Sequence, residues 1–531
     1  MSEANHKNIV VVGAGIIGTS VATMLSKVSP NWHIDMFERL EGAGIESSNE
    51  NNNAGTGHAA LCELNYTVEQ DDGSIDASKA QEINEQFELS RQFWGNLVKN
   101  GDISNPEEFI QPLPHISFVM GPTNVNFLRK RYETLRTLPM FDTIEYTEDM
   151  ETMRKWMPLM MENREPGHQM AASKIDEGTD VNYGALTRKL AHYLEQKSNV
   201  SLKYNHDVVD LTQREDGKWE VVVENRETKE KITKIADKVF IGAGGHSIPL
   251  LQKSGVKQRE HLGGFPISGQ FLRCTNPDII KQHAAKVYSK EPQGKPPMTV
   301  PHLDTRYING KQTLLFGPYA NIGPKFLKFG SNLDLFESIK PYNITTMLAS
   351  AVKNVPLIKY SIDQMIKTKE GCMNYLRTFI PDAKDEDWEL YTAGKRVQVI
   401  KDSEQHGKGF VVFGTEVVNS DDNSMIALLG ESPGASTSLS VVLEVLEKNF
   451  ADDKEAWEPV VKEMVPTYGR SLINDEKLMK KMMYQQVDGL ITDRVDLAKK
   501  AIKSFQKDAS YATRILNYIV VLHLSKNFES A

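Results

Sequence analysis

The amino terminus constrains the fold more than any other stretch of the chain. Residues 7–12, KNIVVV, form a short apolar run that passes directly into GAGIIG at 13–18 and then into SVATMLSKV at 20–28. A buried strand, a glycine turn and a helix in that order open a parallel sheet. Gly13 permits the tight turn, Gly15 lets backbone approach a pyrophosphate, and Gly18 lets helix and strand pack closely. The amino end of the helix then faces the phosphate charge. Residues 32–37, WHIDMF, read as the second strand, and Glu38 closes it 20 residues past Gly18. A carboxylate there accepts both ribose hydroxyls of an adenosine and repels a 2'-phosphate, which argues against NADP. The hexapeptide alone is weak, but the agreement of strand, helix and carboxylate predicts a dinucleotide site.

The pattern then leaves this domain and returns to it. Residues 78–100 read as an amphipathic helix, 183–197 as another, and 206–212 with 218–224 as a hairpin-like pair. A strand over 237–247 ends in Gly242, Gly244 and Gly245, which approach the adenosine side of a cofactor. GFVVFG at 409–414, then IALLGESPGASTS, lead into a helix over 437–449. The expected division is a dinucleotide domain at 1–105, 176–262 and 396–450, interleaved with a mixed α+β substrate domain at 106–175 and 263–395. A helical region over 451–531 completes it. FAD and NAD both suit the glycine turn. Interleaving favours a flavin, whose ring is gripped by segments distant in sequence.

Four further segments carry chemistry. The run SSNENNNAGTGH at 47–58 has no regular period and must be a loop; following Glu38 and Arg39, its Asn53, Gly55, Thr56 and Gly57 line a pyrophosphate and ribityl chain. His58 orients a substrate, takes a proton or simply bonds to backbone, and Cys62 reads as a small buried filler. In MTVPHLDTRY at 298–307, His302, Asp304 and Arg306 share one face of an extended strand. They make either an acid–base and anion-binding cluster or a surface ion network, and the spacing offers too few ligands for a metal. In AGKRVQVIKD at 393–402, Lys395 and Arg396 face opposite ways, and Arg396 with Arg306 gives the two cationic anchors a small dicarboxylate requires. In GESPGAST at 430–437, Gly430, Ser432 and Gly434 bring free N–H groups to a helix start, where they meet partial negative charge.

Composition narrows the partners. With 62 Lys+Arg against 71 Asp+Glu the net charge is -9, so the electrostatic term that drives nucleic-acid binding is missing. Three scattered cysteines form no disulfide framework, and a reducing compartment fits. No apolar run approaches the ~20 residues of a membrane span, and the start lacks a secretory signal. From 495 to 520, apolar residues from Val495 to Ile519 recur every three or four positions with lysines mostly off the stripe. That stripe either lies on an anionic membrane or docks on the protein.

NNAGTGHAALCELNYT at 52–67, GTDVNYGALTR at 178–188, GGFPISGQF at 263–271, PPMTVPHLDTRYI at 296–308, LLFGPYANIGPKFLK at 314–328 and LLGESPGAST at 428–437 together resemble the malate:quinone oxidoreductase family. They also resemble its closely related branch assigned lactate:quinone oxidoreductase activity in Gram-positive cocci. The resemblance covers residues 7 to 480 and fades past 485. It implies an α/β fold with a Rossmann-like FAD-binding domain of the glutathione-reductase or D-amino-acid-oxidase type. It implies FAD as cofactor, oxidation of a small 2-hydroxy acid, and a membrane quinone as electron acceptor. The protein would sit peripherally on the cytoplasmic side of the cell membrane. Malate is the expected substrate, with L-lactate the alternative; an NAD-dependent dehydrogenase or an oxygen-using oxidase comes after. His302 is the expected base, steadied by Asp304, with Arg306 and Arg396 on the carboxylates and His58 near the flavin edge, and the two histidines can exchange roles.

Overall fold

The computed structural model describes residues 6–164, 167–290, 300–355, 359, 368–412, 414–430, 434–479 and 482. Ser432 and the striped tail at 495–520 lie outside the described residues.

β1 (Asn8–Val12) is apolar and buried from Ile9 onward because both its faces are covered. Ile9 and Val11 pack into a helical layer, while Val10 and Val12 pack with buried Trp219 from a three-stranded antiparallel sheet. The helical layer contains α1 (Ile16–Val28), which touches the helices Tyr183–Glu195 and Ser438–Asn449. β1 pairs in parallel with β2 (His33–Phe37) on one side and with the strand Lys238–Ile241 on the other. Val200–Lys203 adds outside β2, and Met425–Leu429 outside Lys238–Ile241, both parallel; Glu416–Asn419 closes the edge antiparallel. The strand order therefore reverses at β1, and its carboxyl end is a topological switch point, where ligands bind in sheets of this kind.

Nine strands form the second sheet, from Gly407–Val412 at one edge to Glu145–Thr147 at the other. A methionine-rich layer including Met153, Met157, Met160, Met161 and Met373 covers it, together with Phe379. Trp388–Ser403 pairs with Leu262–Cys274 from Leu262 opposite Lys401 to Cys274 opposite Trp388, so it is one continuous strand of this sheet. The expected boundary at residue 396 therefore falls inside a strand, and the chain returns to the first sheet only at Glu416–Asn419. Among the described residues, no helix is long and apolar enough to cross a membrane.

Candidate active site

At the switch point a cleft, partly open to solvent, runs between the end of β1 and the loop at 44–58. Its floor admits no side chain. Gly13 has φ +96°, and a Cβ there would lie 2.5 Å from the Gly242 carbonyl oxygen; a Cβ on Gly18 would lie 2.1 Å from the Gly13 oxygen. Gly15 precedes α1 and lines the cleft, and the Ile16 N–H at the helix start donates to Ser48 Oγ at 3.0 Å. On the same wall Glu38 accepts the N–H groups of Ala14 at 2.8 Å and Leu40 at 2.9 Å. Burial raises its pKa, with those two amides pulling the other way. Its remaining lone pairs suit ribose hydroxyls. Arg39 lines the same end, 3.9 Å from Asp207, with His206 and His246 beside them. Gly242 and Gly244 line it too. A turn without room for Cβ atoms, a helix start and a buried carboxylate on one wall fit a dinucleotide. Gly18→Ala is expected to abolish retention of the cofactor, read as loss of the flavin absorbance after purification, because the Gly13 carbonyl cannot move without shifting β1.

The loop at 47–58 is shaped by its own amides and held from the second sheet. Asn53 Nδ2 donates to the carbonyls of Ser47 and Asn49, and its Oδ1 accepts the Gly55 N–H. The Asn53 amide thus builds the loop, and Asn53 lines the cleft together with Gly55. Gly55 and Gly57 pair with the segment at 179–181 through Val181 N–H to Gly55 O and Gly57 N–H to Thr179 O. A Cβ on Gly57 would lie 2.1 Å from Thr179 Oγ1. Thr56 lines the cleft, and its hydroxyl lies 2.8 Å from that of Tyr288.

Arg306 closes this arrangement from below. It is fully buried; its Nε donates to Asp180 at 2.8 Å, and its guanidinium also reaches the carbonyls of Glu50, Asn53 and Val181. Buried Lys286 lies 3.0 Å from the same Asp180 and donates to the Ala54 carbonyl. Four of its five N–H donors are thus engaged, and Arg306 is fully buried and not part of the cleft lining, so it sits as a brace under the cofactor loop and not, as the sequence suggested, beside a substrate carboxylate.

The two histidines sit in different layers. His58 lines the cleft with its side chain a quarter exposed, and its Nδ1 lies 2.6 Å from Glu63 Oε1. Burial works to raise the Glu63 pKa, but the His58 hydrogen bond and nearby positive charge outweigh it and bring it to about 2. His302, 6 % exposed, pairs through Nδ1 with buried Asp304 and stacks on Tyr288 at 4.4 Å between centroids. Burial opposes ionisation of Asp304, and His302 with Lys286 outweighs it. The cleft lining includes His58 but not His302. Cys62 is buried, as expected, and its thiol pKa is pushed well up by burial and by Glu63.

Gly394, Lys395 and Arg396 all line the cleft. An extra residue between Thr392 and Lys395 bulges this strand against Leu262–Cys274 and interrupts the two-residue period. Arg396 is exposed and makes no hydrogen bond or ion pair among the described residues. Gly430, φ +68°, and Ser436 line the far wall, and Gly434 is buried nearby. Ser436 Oγ joins three groups: the His58 N–H, the Thr56 carbonyl and the Tyr183 hydroxyl at 2.6 Å.

Glu63, Ser436, Tyr183 and Asp180 were not singled out in the sequence. Glu63 lies five residues after His58, a spacing no helix or strand brings together; Ala60, with φ 59°, turns the chain back between them.

The profile of the malate:quinone oxidoreductase family matches residues 5–491. The chain belongs to this family. It is 99% identical over 480 residues, 90% of this chain and 97% of the relative, to probable malate:quinone oxidoreductase 3 of Staphylococcus epidermidis. It is 66% identical over 487 residues, 91% of this chain and 98% of the relative, to probable malate:quinone oxidoreductase 2 of Staphylococcus aureus. The fold is shared with L-alpha-glycerophosphate oxidase from Mycoplasma pneumoniae, solved with FAD bound, at TM-score 0.54 and 14% identity over 84% of this chain and 95% of that one. Glycine oxidase from Geobacillus kaustophilus gives TM-score 0.54 and 13% identity over the same shares. As a malate:quinone oxidoreductase family member the chain is an FAD-dependent enzyme with malate as electron donor and quinone as acceptor. None of this favours lactate over malate, or NAD over FAD.

Proposed function

We propose that the cleft oxidises (S)-malate to oxaloacetate with His58 as the proton acceptor, Glu63 as its positioning partner, and Arg396 with Lys395 as the carboxylate anchors. The reading rests above all on the pair His58–Glu63, joined at 2.6 Å on the wall of the cofactor cleft. FAD held by the Gly13–Gly18 turn and Glu38 would supply a two-electron acceptor for the C2 hydrogen of malate, with quinone as the final oxidant. An ionised Glu63 holds the Nδ1 proton of His58, which leaves the Nε2 lone pair free to take the substrate hydroxyl proton. Loss of that proton and of hydride from the same carbon turns the alcohol into a ketone. Arg396 offers its fork to one carboxylate. Lys395 lines the same wall, where burial lowers its pKa and its Nζ donates to Ser268 Oγ at 3.2 Å. His302 and Asp304 act one layer down, through Tyr288 and Thr56. The enzyme meets the cytoplasmic face of a membrane peripherally.

Anaerobic bleaching of the bound flavin by malate and by lactate tests the reading. Malate is expected to reduce it faster; a tenfold preference for lactate would sink the malate assignment. Arg396→Ala is expected to raise the KM for malate at least tenfold, since a hydrogen bond to a charged group contributes about 1.5–3 kcal/mol. Unchanged KM in steady-state assays would remove Arg396 from the anchor role.

A further inference from the structure

Of eleven large apolar side chains exposed among the described residues, eight lie between Phe329 and Val355. The helix Ile344–Lys353 shows why this is not scatter. Its inner face is fitted to the second sheet: a Cβ on Gly409 would lie 2.3 Å from Ser350 N, and one on Gly263 2.1 Å from Met347 Sδ. Its outer face carries Ile344, Leu348 and Val352 at intervals of four, exposed by 43%, 62% and 76%. A helix packed on one side and facing water on the other keeps its outer stripe polar; this one does not. Leu333 and the 62 % exposed Phe336 extend the patch.

Two further observations name what covers it. Residues 325–355 carry Lys325, Lys328, Lys340 and Lys353 against Asp334 and Glu337, a local net charge of +2 in a chain whose total is -9. Asp334 is turned inward, accepting the N–H groups of Phe326 and Ser331, and Lys328 is turned inward onto Asn52 and Thr392, which leaves Lys325, Lys340 and Lys353 against Glu337, again +2. Apolar side chains among lysines match an anionic lipid surface. The patch also starts at the cofactor cleft. Leu327 lines the cleft, and the N–H groups of Lys328 and Phe329 donate to the carboxylate of Glu46, another lining residue, at 3.0 Å each.

We propose that the face formed by residues 329–355 docks the enzyme on an anionic phospholipid bilayer and turns the cleft toward membrane-dissolved quinone. The proposal rests on the quinone-reducing reading above. The test uses full-length holoenzyme and a Phe336→Ser/Leu348→Ser/Val352→Ser variant, sedimented with vesicles of phosphatidylglycerol or of phosphatidylcholine. Wild type is expected on phosphatidylglycerol vesicles, with partitioning at least tenfold weaker in the variant and on phosphatidylcholine. The variant's reduction of a long-chain quinone in vesicles falls in parallel. Its reduction of a water-soluble quinone stays at the wild-type rate, which also shows that it folds and holds its cofactor. Equal vesicle binding by variant and wild type overturns the proposal. So does binding abolished by removing residues 490–531 but kept in the variant, or a wild-type dimer that the variant splits without losing vesicle binding. Failure of the wild type to reduce even the soluble quinone after malate bleaches its flavin would instead overturn the quinone reading.

Discussion

His58→Ala is expected to lower kcat for malate by about 100- to 10,000-fold, the range of a positioned general base. Bound flavin should remain, because the His58 contact that shapes the loop is its backbone N–H on Ser436. Glu63→Gln separates positioning from simple loss of a side chain. Glutamine can still accept from Nδ1, but the negative charge that favours imidazolium is gone. The Nδ1 proton is then held less firmly and the imidazolium formed in the step is less stabilised, so kcat for malate falls while KM changes little. A Glu63→Gln enzyme with unchanged kcat, or with KM raised in step with the loss of kcat, would count against Glu63 as the positioning partner of His58. His302→Ala is expected to lower kcat less than tenfold, since that ring touches the cleft only through Tyr288 and Thr56. A larger loss from His302 than from His58 would reverse the assignment.

Arg306→Ala is expected to destabilise the folded protein by about 3 kcal/mol, the low end for removing one partner of a buried ion pair, because Lys286 stays to neutralise Asp180. The carbonyls of Glu50 and Asn53 lose their donor, so the cofactor loop loosens and flavin is released at a lower temperature. Flavin fluorescence during a thermal ramp measures this without substrate. A substrate anchor would behave in the opposite way, with KM rising and flavin release unchanged. Arg306→Lys keeps the charge but loses the fork, since one ammonium cannot serve Asp180 and two loop carbonyls together. It should fall between wild type and alanine.

These outcomes also mark where local sequence rules reach and where they stop. The β1–α1–β2 unit and Glu38 were legible because each rests on neighbours in sequence: an apolar run, glycines at fixed spacing and a carboxylate at a strand end. The face shared by His302, Asp304 and Arg306 was read from strand parity, and all three side chains are indeed buried together. Parity gives the face but not what packs against it, and here Arg306 meets the underside of the cofactor loop. For Lys395 and Arg396 parity was interrupted by a bulge that only the pairing with Leu262–Cys274 reveals. Glu63 was hidden by a loop turn at Ala60, outside any periodic rule.

The brace under the loop has a consequence for how the enzyme is made. The cation that fixes the Glu50 carbonyl stands 256 residues later in the chain. A ribosome that has finished β1, α1 and the asparagine-rich loop has made the glycine turn but not the residue that holds its partner loop in shape. The cofactor loop is therefore braced only after strand His302–Ile308 has emerged and docked, and a nascent chain that stops short of it carries the nucleotide motif beside an unbraced loop.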